Sequence, residues 1–313
     1  FALFTVLYLY NAGTFLIDKS LMDWSPAAAI SAALGFLVAF WLIYDRICQW
    51  FGFREKGDAI VGALVFAVIC VASWAACQLF AGRAAFLLVG AMIATAMSAN
   101  VFFWIIPGQR KVVAAMTSGE KVDPKALAIH GKRGKQRSVH NTYFTLPVLF
   151  AMLSGHYSFT WSHPQNWLVL ILMMFAGAAI RQFFVLRHGF KLGRNAHPWP
   201  YALVGVAVIV GAVVWLRPAP VVAITSEAGS AALTSAAGHF DYEKVQAVLQ
   251  ERCVQCHGPD VQMKGVRLDS AQQVAPRALL IYQQVVLQKL MPMNNATGIT
   301  PEERQSLGEW SKP

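Results

Sequence analysis

Charged residues are scarce in this chain of 313 residues: Asp, Glu, Lys and Arg make up 13% of it, while hydrophobic residues make up 56%. Soluble domains carry about twice that share of charge, so the composition excludes an ordinary soluble protein and an intrinsically disordered one. Acidic residues are the scarcest, with 16 Asp and Glu against 26 Lys and Arg. The net charge of +10 therefore has to be explained by where the basic residues lie.

Long apolar runs dominate the first 217 residues. The hydrocarbon core of a bilayer needs about 20 apolar residues per helix. Six such runs occur, at 27–51, 58–80, 84–106, 139–158, 166–187 and 198–217. An opening run, 1–17, begins inside an apolar stretch with no initiator Met and no polar leader. We expect residues 1–217 to form an all-α transmembrane bundle of about seven segments, the first of them truncated, with further helices upstream.

Basic residues alternate between the connections of this bundle. Lys and Arg concentrate in three of them, at 46–56, 107–138 and 187–194. The connections in between hold little more than Lys19 and Arg83. By the positive-inside rule the basic loops face the cytoplasm. The chain after residue 217 then lies on the opposite side, which is the periplasm if the membrane is a bacterial inner membrane.

The excess of positive charge over negative charge lies before residue 239. Residues 239–313 contain eight basic and eight acidic residues, so the whole excess lies before them. This excess is explained by topology and by attraction to anionic lipid headgroups. It does not indicate binding to nucleic acid.

Cysteine is also rare, with five in the chain, yet two of them stand in an informative motif. Cys253, Cys256 and His257 form the C-x-x-C-H pattern to which haem is attached covalently in c-type cytochromes. The two thiols take the haem vinyl groups, and His257 becomes an axial ligand of the iron. A zinc site would need two more ligands, for which His239 is the only nearby candidate, and a thioredoxin-like pair would need a βαβ unit. We therefore predict one covalent haem c.

The second axial ligand of small single-haem cytochromes is a Met thioether, which raises the reduction potential relative to two nitrogen ligands. Met291 lies 34 residues after His257 and directly precedes a proline, as in the Met-Pro turn of such domains, so we favour it. Met293 is the first alternative and Met263 the second.

A helix start follows this turn. Thr300 and Glu303 have the spacing of a capping box with a proline between them, and Leu307 and Trp310 supply an apolar stripe. We expect residues 239–313 to be a compact all-α periplasmic cytochrome c domain. A flexible linker rich in small residues, 218–238, joins it to the bundle.

Polar side chains inside a membrane bundle are costly, so each of them marks a candidate functional site. The densest group, with Arg137, His140 and Asn141, enters helix 139–158 from the cytoplasmic side. His156 near the other end lies about 24 Å from His140 along the helix, so the two cannot ligate one metal. They belong to two sites at opposite faces, or each binds a haem b with a His from another helix, or each bonds lipid headgroups.

Three stretches of sequence resemble one known family. They are residues 101–111 (VFFWIIPGQRK), residues 135–150 (KQRSVHNTYFTLPVLF) continuing to His156-Tyr157, and Met291-Pro292 followed by residues 295–298 (NATG). In these motifs the chain is similar to the bacterial membrane-bound urate hydroxylase family (PuuD type), whose members join a multi-helix membrane domain to a C-terminal cytochrome c. The resemblance extends over essentially the whole chain, except that the first membrane helices of the family are missing.

This resemblance implies an activity. Members hydroxylate urate to 5-hydroxyisourate with water, form no hydrogen peroxide, and pass electrons to the haem c and on to a soluble cytochrome c or a terminal oxidase. We expect Arg137 to anchor the urate anion, with Arg181 as the alternative. Asn141, or Asn100 or Gln109, then reads the edges of the ring, and His140 takes a proton from the attacking water.

Two questions stay open at this stage. A substrate site near His140 would be cytoplasmic and far from a periplasmic haem, so a haem b in the bundle would have to bridge them, whereas a site near His156 would not need one. The competing function is a quinol-linked respiratory subunit with a tethered cytochrome c. A mere membrane anchor is disfavoured, because one helix would be sufficient for that.

Overall fold

The computed structural model describes residues 8–117, 124–217 and 242–311. Every regular element among them is helical, as the sequence predicts. The described residues divide into two compact units, one of residues 8–12 and 25–217 and the other of residues 13–24 and 242–311. The predicted linker, 218–238, lies outside the described residues, as do residues 1–7 of the opening run.

Nine α-helices have both ends within the described residues before residue 217. In chain order they are α1 (Ala12–Phe15), α2 (Pro26–Phe51), α3 (Gly57–Leu79), α4 (Gly82–Ala99), α5 (Ile106–Thr117), α6 (Pro124–Leu153), α7 (Ser158–Trp161), α8 (Asn166–Lys191) and α9 (Trp199–Trp215). One π-helical turn, Asn100–Ile105, joins α4 and α5, and one 3₁₀ turn, Ser154–His156, follows α6. Among the described residues, four helices are long and apolar enough to cross a membrane, namely α2, α3, the joined α4–α5 and α8.

The joined helix α4–α5 continues beyond the predicted end at residue 106. A proline inside a helix removes one N–H donor and would normally end or kink it. Here the π turn comes directly before Pro107, and the Ile106 N–H bonds the Val101 carbonyl, five residues back. The wider turn carries the helix through the proline to Thr117. Such π turns are frequently found at functional sites.

Helix α6 begins at Pro124, well before the predicted start at residue 139. A proline suits the first helical turn, and the Lys and Arg residues that follow are good helix formers. The polarity of this first half conceals the helix from a search for apolar runs.

Further along, α8 approaches Pro147 of α6 closely at Gly177, where a Cβ atom would lie 3.3 Å from the proline Cδ and 3.1 Å from the Leu146 Cβ.

Helix α4 is the centre of the first unit. In its joined helix 50% of the most apolar stretch is buried inside the protein, against 22–33% in the other three candidate spans. Small residues such as Ala84, Ala85 and Ala96 are fully buried and let α2 and α6 pack closely against it. This packing brings α2, the π turn and α6 together.

The second unit has a small helical core. Its α-helices are α10 (Tyr242–Arg252), α11 (Val254–His257), α12 (Ala271–Val274), α13 (Ala278–Ile281) and α14 (Pro301–Ser311). Leu307 of α14 is fully buried against Val245 and Leu249 of α10, and Trp310 packs on the same core. The predicted apolar stripe of the last helix is thereby confirmed.

The predicted capping box is also confirmed. The Thr300 N–H donates to Glu303 Oε2 at 2.8 Å, and the Glu303 N–H donates to the Thr300 hydroxyl at 3.2 Å. Arg252, at the end of α10, donates to both carboxylate oxygens at 3.0–3.2 Å. This guanidinium lowers the pKa of Glu303 below its ordinary value.

A carboxyl group with a lowered folded pKa stabilises the fold above its unfolded pKa of about 4.3 and loses that effect as the pH falls through the folded pKa. The substitution Glu303→Gln is therefore expected to destabilise the second unit by about 1 kcal/mol at neutral pH. The difference should shrink below about pH 4. Thermal unfolding of the intact protein over a pH series measures this. Glu309→Gln, on the exposed face of the same helix, is the control, and a pH-independent difference would contradict the assignment.

Candidate functional site

A connected group of polar side chains lies where α2, the π turn and α6 meet. Its members are Tyr44, Asp45, Asn100, Arg137, His140 and Asn141. The three residues from α6 share one helix face, because they are spaced three and four positions apart. Each stands in or beside an apolar stretch, which is the pattern that signals a site inside a membrane bundle.

The guanidinium of Arg137 is buried and paired. Its side chain is 3% exposed, and Nη2 donates to Asp45 Oδ1 at 2.7 Å. The Trp104 indole N–H donates to the same oxygen at 2.8 Å. The guanidinium also lies over the rings of Tyr44 and Trp104, 4.9 and 5.2 Å from their centroids. A buried charge needs such compensation, so Arg137 already has a counter-ion inside the protein.

Asn100 connects this ion pair to the rest of the group. Its Oδ1 accepts from Arg137 Nη1 at 3.3 Å, and its Nδ2 donates to the Tyr44 hydroxyl at 2.9 Å and to Asn141 Oδ1 at 2.8 Å. Asn141 Nδ2 in turn donates to the Met97 carbonyl at 3.0 Å. Both ends of the Asn141 amide are therefore occupied by protein partners.

His140 stands at the end of the chain of hydrogen bonds. Its Nδ1 lies 3.0 Å from the Tyr44 hydroxyl and 3.7 Å from Cys48 Sγ. The imidazole also packs edge-on against the Tyr44 ring. The part of the chain that the structure describes offers no hydrogen-bond partner to His140 Nε2, so this nitrogen is available to a ligand.

A cavity of about 740 Å³ lies beside His140, between α2, α3, α6 and α8. Its polar and charged lining residues are Tyr44, Asp58, Lys132, Lys135, Gln136, His140, Tyr143 and Gln182. Aromatic and aliphatic side chains, among them Phe66, Phe144 and Met174, make up most of the remaining wall. The volume is within the usual range for a small-molecule site.

Of the three predicted catalytic residues, His140 lines this cavity, whereas Arg137 and Asn141 do not. The anchoring role of Arg137 and the ring-reading role of Asn141 stay predictions, since their polar atoms are already engaged with protein groups. Tyr44 and Asp58 were missed by the sequence. The same signal was available for both: each is a polar residue in or beside a long apolar run.

The predicted haem ligands lie in the second unit. Cys253 is buried and Cys256 exposed, and both are free thiols. Burial raises the pKa of the Cys253 thiol to about 11. His257 ends the short helix α11, with its Nδ1 3.3 Å from the Val266 carbonyl. This contact engages one ring nitrogen and leaves Nε2 available.

The methionines of this unit are unusually accessible. Met291, Met293 and Met263 are 39%, 37% and 56% exposed. Arg304 fixes the backbone of the first of them by donating to the Met291 carbonyl at 2.8 Å. The choice among the three as an axial ligand stays open. No cluster of three or more His, Cys, Asp or Glu side chains suited to a metal ion occurs within residues 8–117, 124–217 and 242–311.

Comparison with known families identifies the membrane part of the chain. A family model described as "Urate oxidase N-terminal" matches residues 1–217. The chain belongs to this family. The matched region of the urate oxidase family contains the polar group and the whole cavity, and it ends before the cysteine motif. No curated protein and no solved structure matches the chain. Membership supports a urate-related oxidoreductase whose apolar helices are able to cross a membrane.

Proposed function

We propose that this protein is a membrane-bound urate hydroxylase that converts urate to 5-hydroxyisourate with water and passes the electrons to a covalent haem c. The observation that carries the proposal is the cavity beside His140, inside the region that matches the urate oxidase family. Each turnover joins one water to one urate and releases two protons and two electrons.

The lining of the cavity suits urate. Urate is a flat anion at neutral pH, and the rings of Phe66 and Phe144 give the wall apolar surfaces that match a planar purine. Two exposed lysines, Lys132 and Lys135, line the cavity, whereas Asp58 is the one carboxylate among the described lining residues. The excess of positive charge favours entry of an anion. By the positive-inside rule this entrance faces the cytoplasm.

In this proposal the imidazole of His140 contacts the substrate. Tyr44 holds its Nδ1, so the ring has a fixed orientation and its other nitrogen serves the ligand. Arg137 contributes from behind the wall by fixing Asn100, and Asn100 fixes Tyr44. In this proposal His140 contacts the substrate, whereas Arg137 and Asn141 act indirectly by holding Asn100 in place.

Cys253 and Cys256 would hold the haem c, and His257 and Met291 would bind its iron. Two observations fit this role: both thiols are free, and the Val266 carbonyl engages His257 Nδ1, the usual way in which a ligating imidazole is oriented for its metal. When bound, a haem c accepts one electron at a time, so each urate requires two transfers. A haem b in the bundle is proposed as a second group, and a soluble cytochrome c or a terminal oxidase as the final acceptor.

The lipid bilayer in this proposal is the bacterial inner membrane, with residues 239–313 in the periplasm. The alternation of basic connections in the sequence and the C-x-x-C-H motif support this orientation independently.

Anaerobic mixing of the purified, oxidised protein with urate tests the function. We expect the α-band of reduced haem c to appear without quinol, and a pyridine haemochrome spectrum of the same sample shows whether haem b accompanies it. Reduction by quinol alone, with no response to urate, would replace the hydroxylase with the quinol-linked respiratory subunit.

A further inference from the structure

The side-chain amides of Asn100 and Asn141 lie between a group that can only donate hydrogen bonds and a group that can only accept them. The guanidinium of Arg137 only donates, so the Asn100 atom that faces it is the carbonyl Oδ1. The Met97 carbonyl only accepts, so the Asn141 atom that faces it is Nδ2, and Asn141 Oδ1 faces Asn100. Both amide orientations therefore follow from their partners.

Asn100 Nδ2 is consequently the donor to the Tyr44 hydroxyl, at 2.9 Å. Tyr44 accepts from Asn100, so its own O–H proton needs an acceptor, and His140 Nδ1, at 3.0 Å, is the nitrogen within hydrogen-bond distance of it. The Cys48 thiol, 3.7 Å from the same nitrogen, is a second and weaker donor. Two donors require a lone pair on Nδ1, and in a neutral imidazole the proton then resides on Nε2.

We propose that this network holds His140 as the Nε2–H tautomer, so that the histidine offers the cavity a hydrogen-bond donor for an acceptor atom of the bound anion. The tautomer is inferred from these contacts, whereas the nature of the anion, a purine with carbonyl or deprotonated ring-nitrogen acceptors, rests on the proposed function. His140 then stabilises negative charge on the ligand and does not take a proton at Nε2. Tyr44, Asn100 and Arg137 are positioning residues for that donor.

This assignment moves the base to another side chain. Asp58 is the only acidic residue among the described residues that line the cavity, and Gln136 donates to one of its oxygens at 3.0 Å. In this proposal its carboxylate takes the proton of the attacking water.

Nuclear magnetic resonance of the intact protein, labelled with ¹⁵N-histidine and free of ligand, tests the tautomer directly. The signal that disappears in His140→Gln identifies the ring. We expect a protonated Nε2 and an unprotonated Nδ1. Asn100→Asp replaces the amide donor with an acceptor for the Tyr44 proton, so the His140 ring should invert to the Nδ1–H form. Tyr44→Phe should give a mixture of both forms.

Ser73→Ala is the matched control, because it removes a buried hydroxyl of the same bundle that has no hydrogen-bond partner among the described residues. Its histidine spectrum should be unchanged. A protonated Nδ1 in the unaltered protein, or an Asn100→Asp spectrum without inversion, would overturn the proposal. These outcomes do not depend on urate, so they are independent of the proposed function.

Kinetics with urate separate a donor from a base. His140→Gln keeps an N–H group close to the position of Nε2, whereas His140→Glu supplies a carboxylate that only accepts at neutral pH. We expect His140→Glu to raise KM for urate about 10- to 100-fold, the effect of losing one hydrogen bond to a charged ligand. His140→Gln should retain most of the affinity. A fully active His140→Glu beside an inactive His140→Gln would contradict the donor role.

Discussion

The substitution His140→Ala is expected to slow urate-driven reduction of the haem by about 100- to 1000-fold, the usual loss when a preorganised donor to developing charge is removed. It removes the imidazole from the cavity wall and leaves the Tyr44 hydroxyl without its acceptor. Stopped-flow absorption in the haem α-band measures the rate.

Two comparisons make this result specific to the site. Reduction of His140→Ala by dithionite should equal that of the unaltered protein, because the substitution lies far along the chain from the cysteine motif. Ser73→Ala should retain full urate-driven reduction. An unchanged rate in His140→Ala would remove His140 from the mechanism.

The substitution Asp45→Ala is expected to cost about 3–5 kcal/mol of stability, because it leaves the Arg137 charge buried without a counter-ion. The Trp104 indole N–H loses its acceptor in the same variant. The double substitution Asp45→Leu with Arg137→Met removes both charges and should restore much of the stability. Thermal unfolding of the detergent-solubilised protein measures both variants against the unaltered protein.

The chain contains a matched control for this experiment. Arg267 and Asp269 form an ion pair of the same length, 2.7 Å, in which the Arg side chain is 37% exposed. Water screens an exposed pair, so Asp269→Ala should cost far less stability than Asp45→Ala. Equal losses from the two aspartate substitutions would contradict the account of a buried, structurally essential pair at Asp45.

Local signals were sufficient to predict much of the second unit. The capping box of Thr300 and Glu303 and the stripe of Leu307 and Trp310 depend on residues within one or two helical turns of each other, so the sequence displays them directly. The positions of helices in the bundle were predicted by their apolar length, and four of these helices are long and apolar enough to cross a membrane. Their ends were not, because a π turn carries one helix through Pro107, and a polar first half extends another back to Pro124.

The candidate site was only partly predictable for a different reason. The sequence marks Arg137 and His140 as polar residues in a bundle, but their partners, Asp45 and Tyr44, are 92 and 96 positions away in the chain. Without these contacts, Arg137 looks like a free anion anchor and His140 like a base. The tertiary packing of α2 against α4 and α6 supplies the counter-ion and the donor that alter both interpretations.

Anaerobic turnover in water labelled with heavy oxygen tests the central claim most directly, namely that this protein oxidises urate with water. The account predicts 5-hydroxyisourate that carries the label, two haem c groups reduced for each urate consumed, and no hydrogen peroxide when air is admitted. Turnover that requires oxygen and leaves the product unlabelled would contradict it.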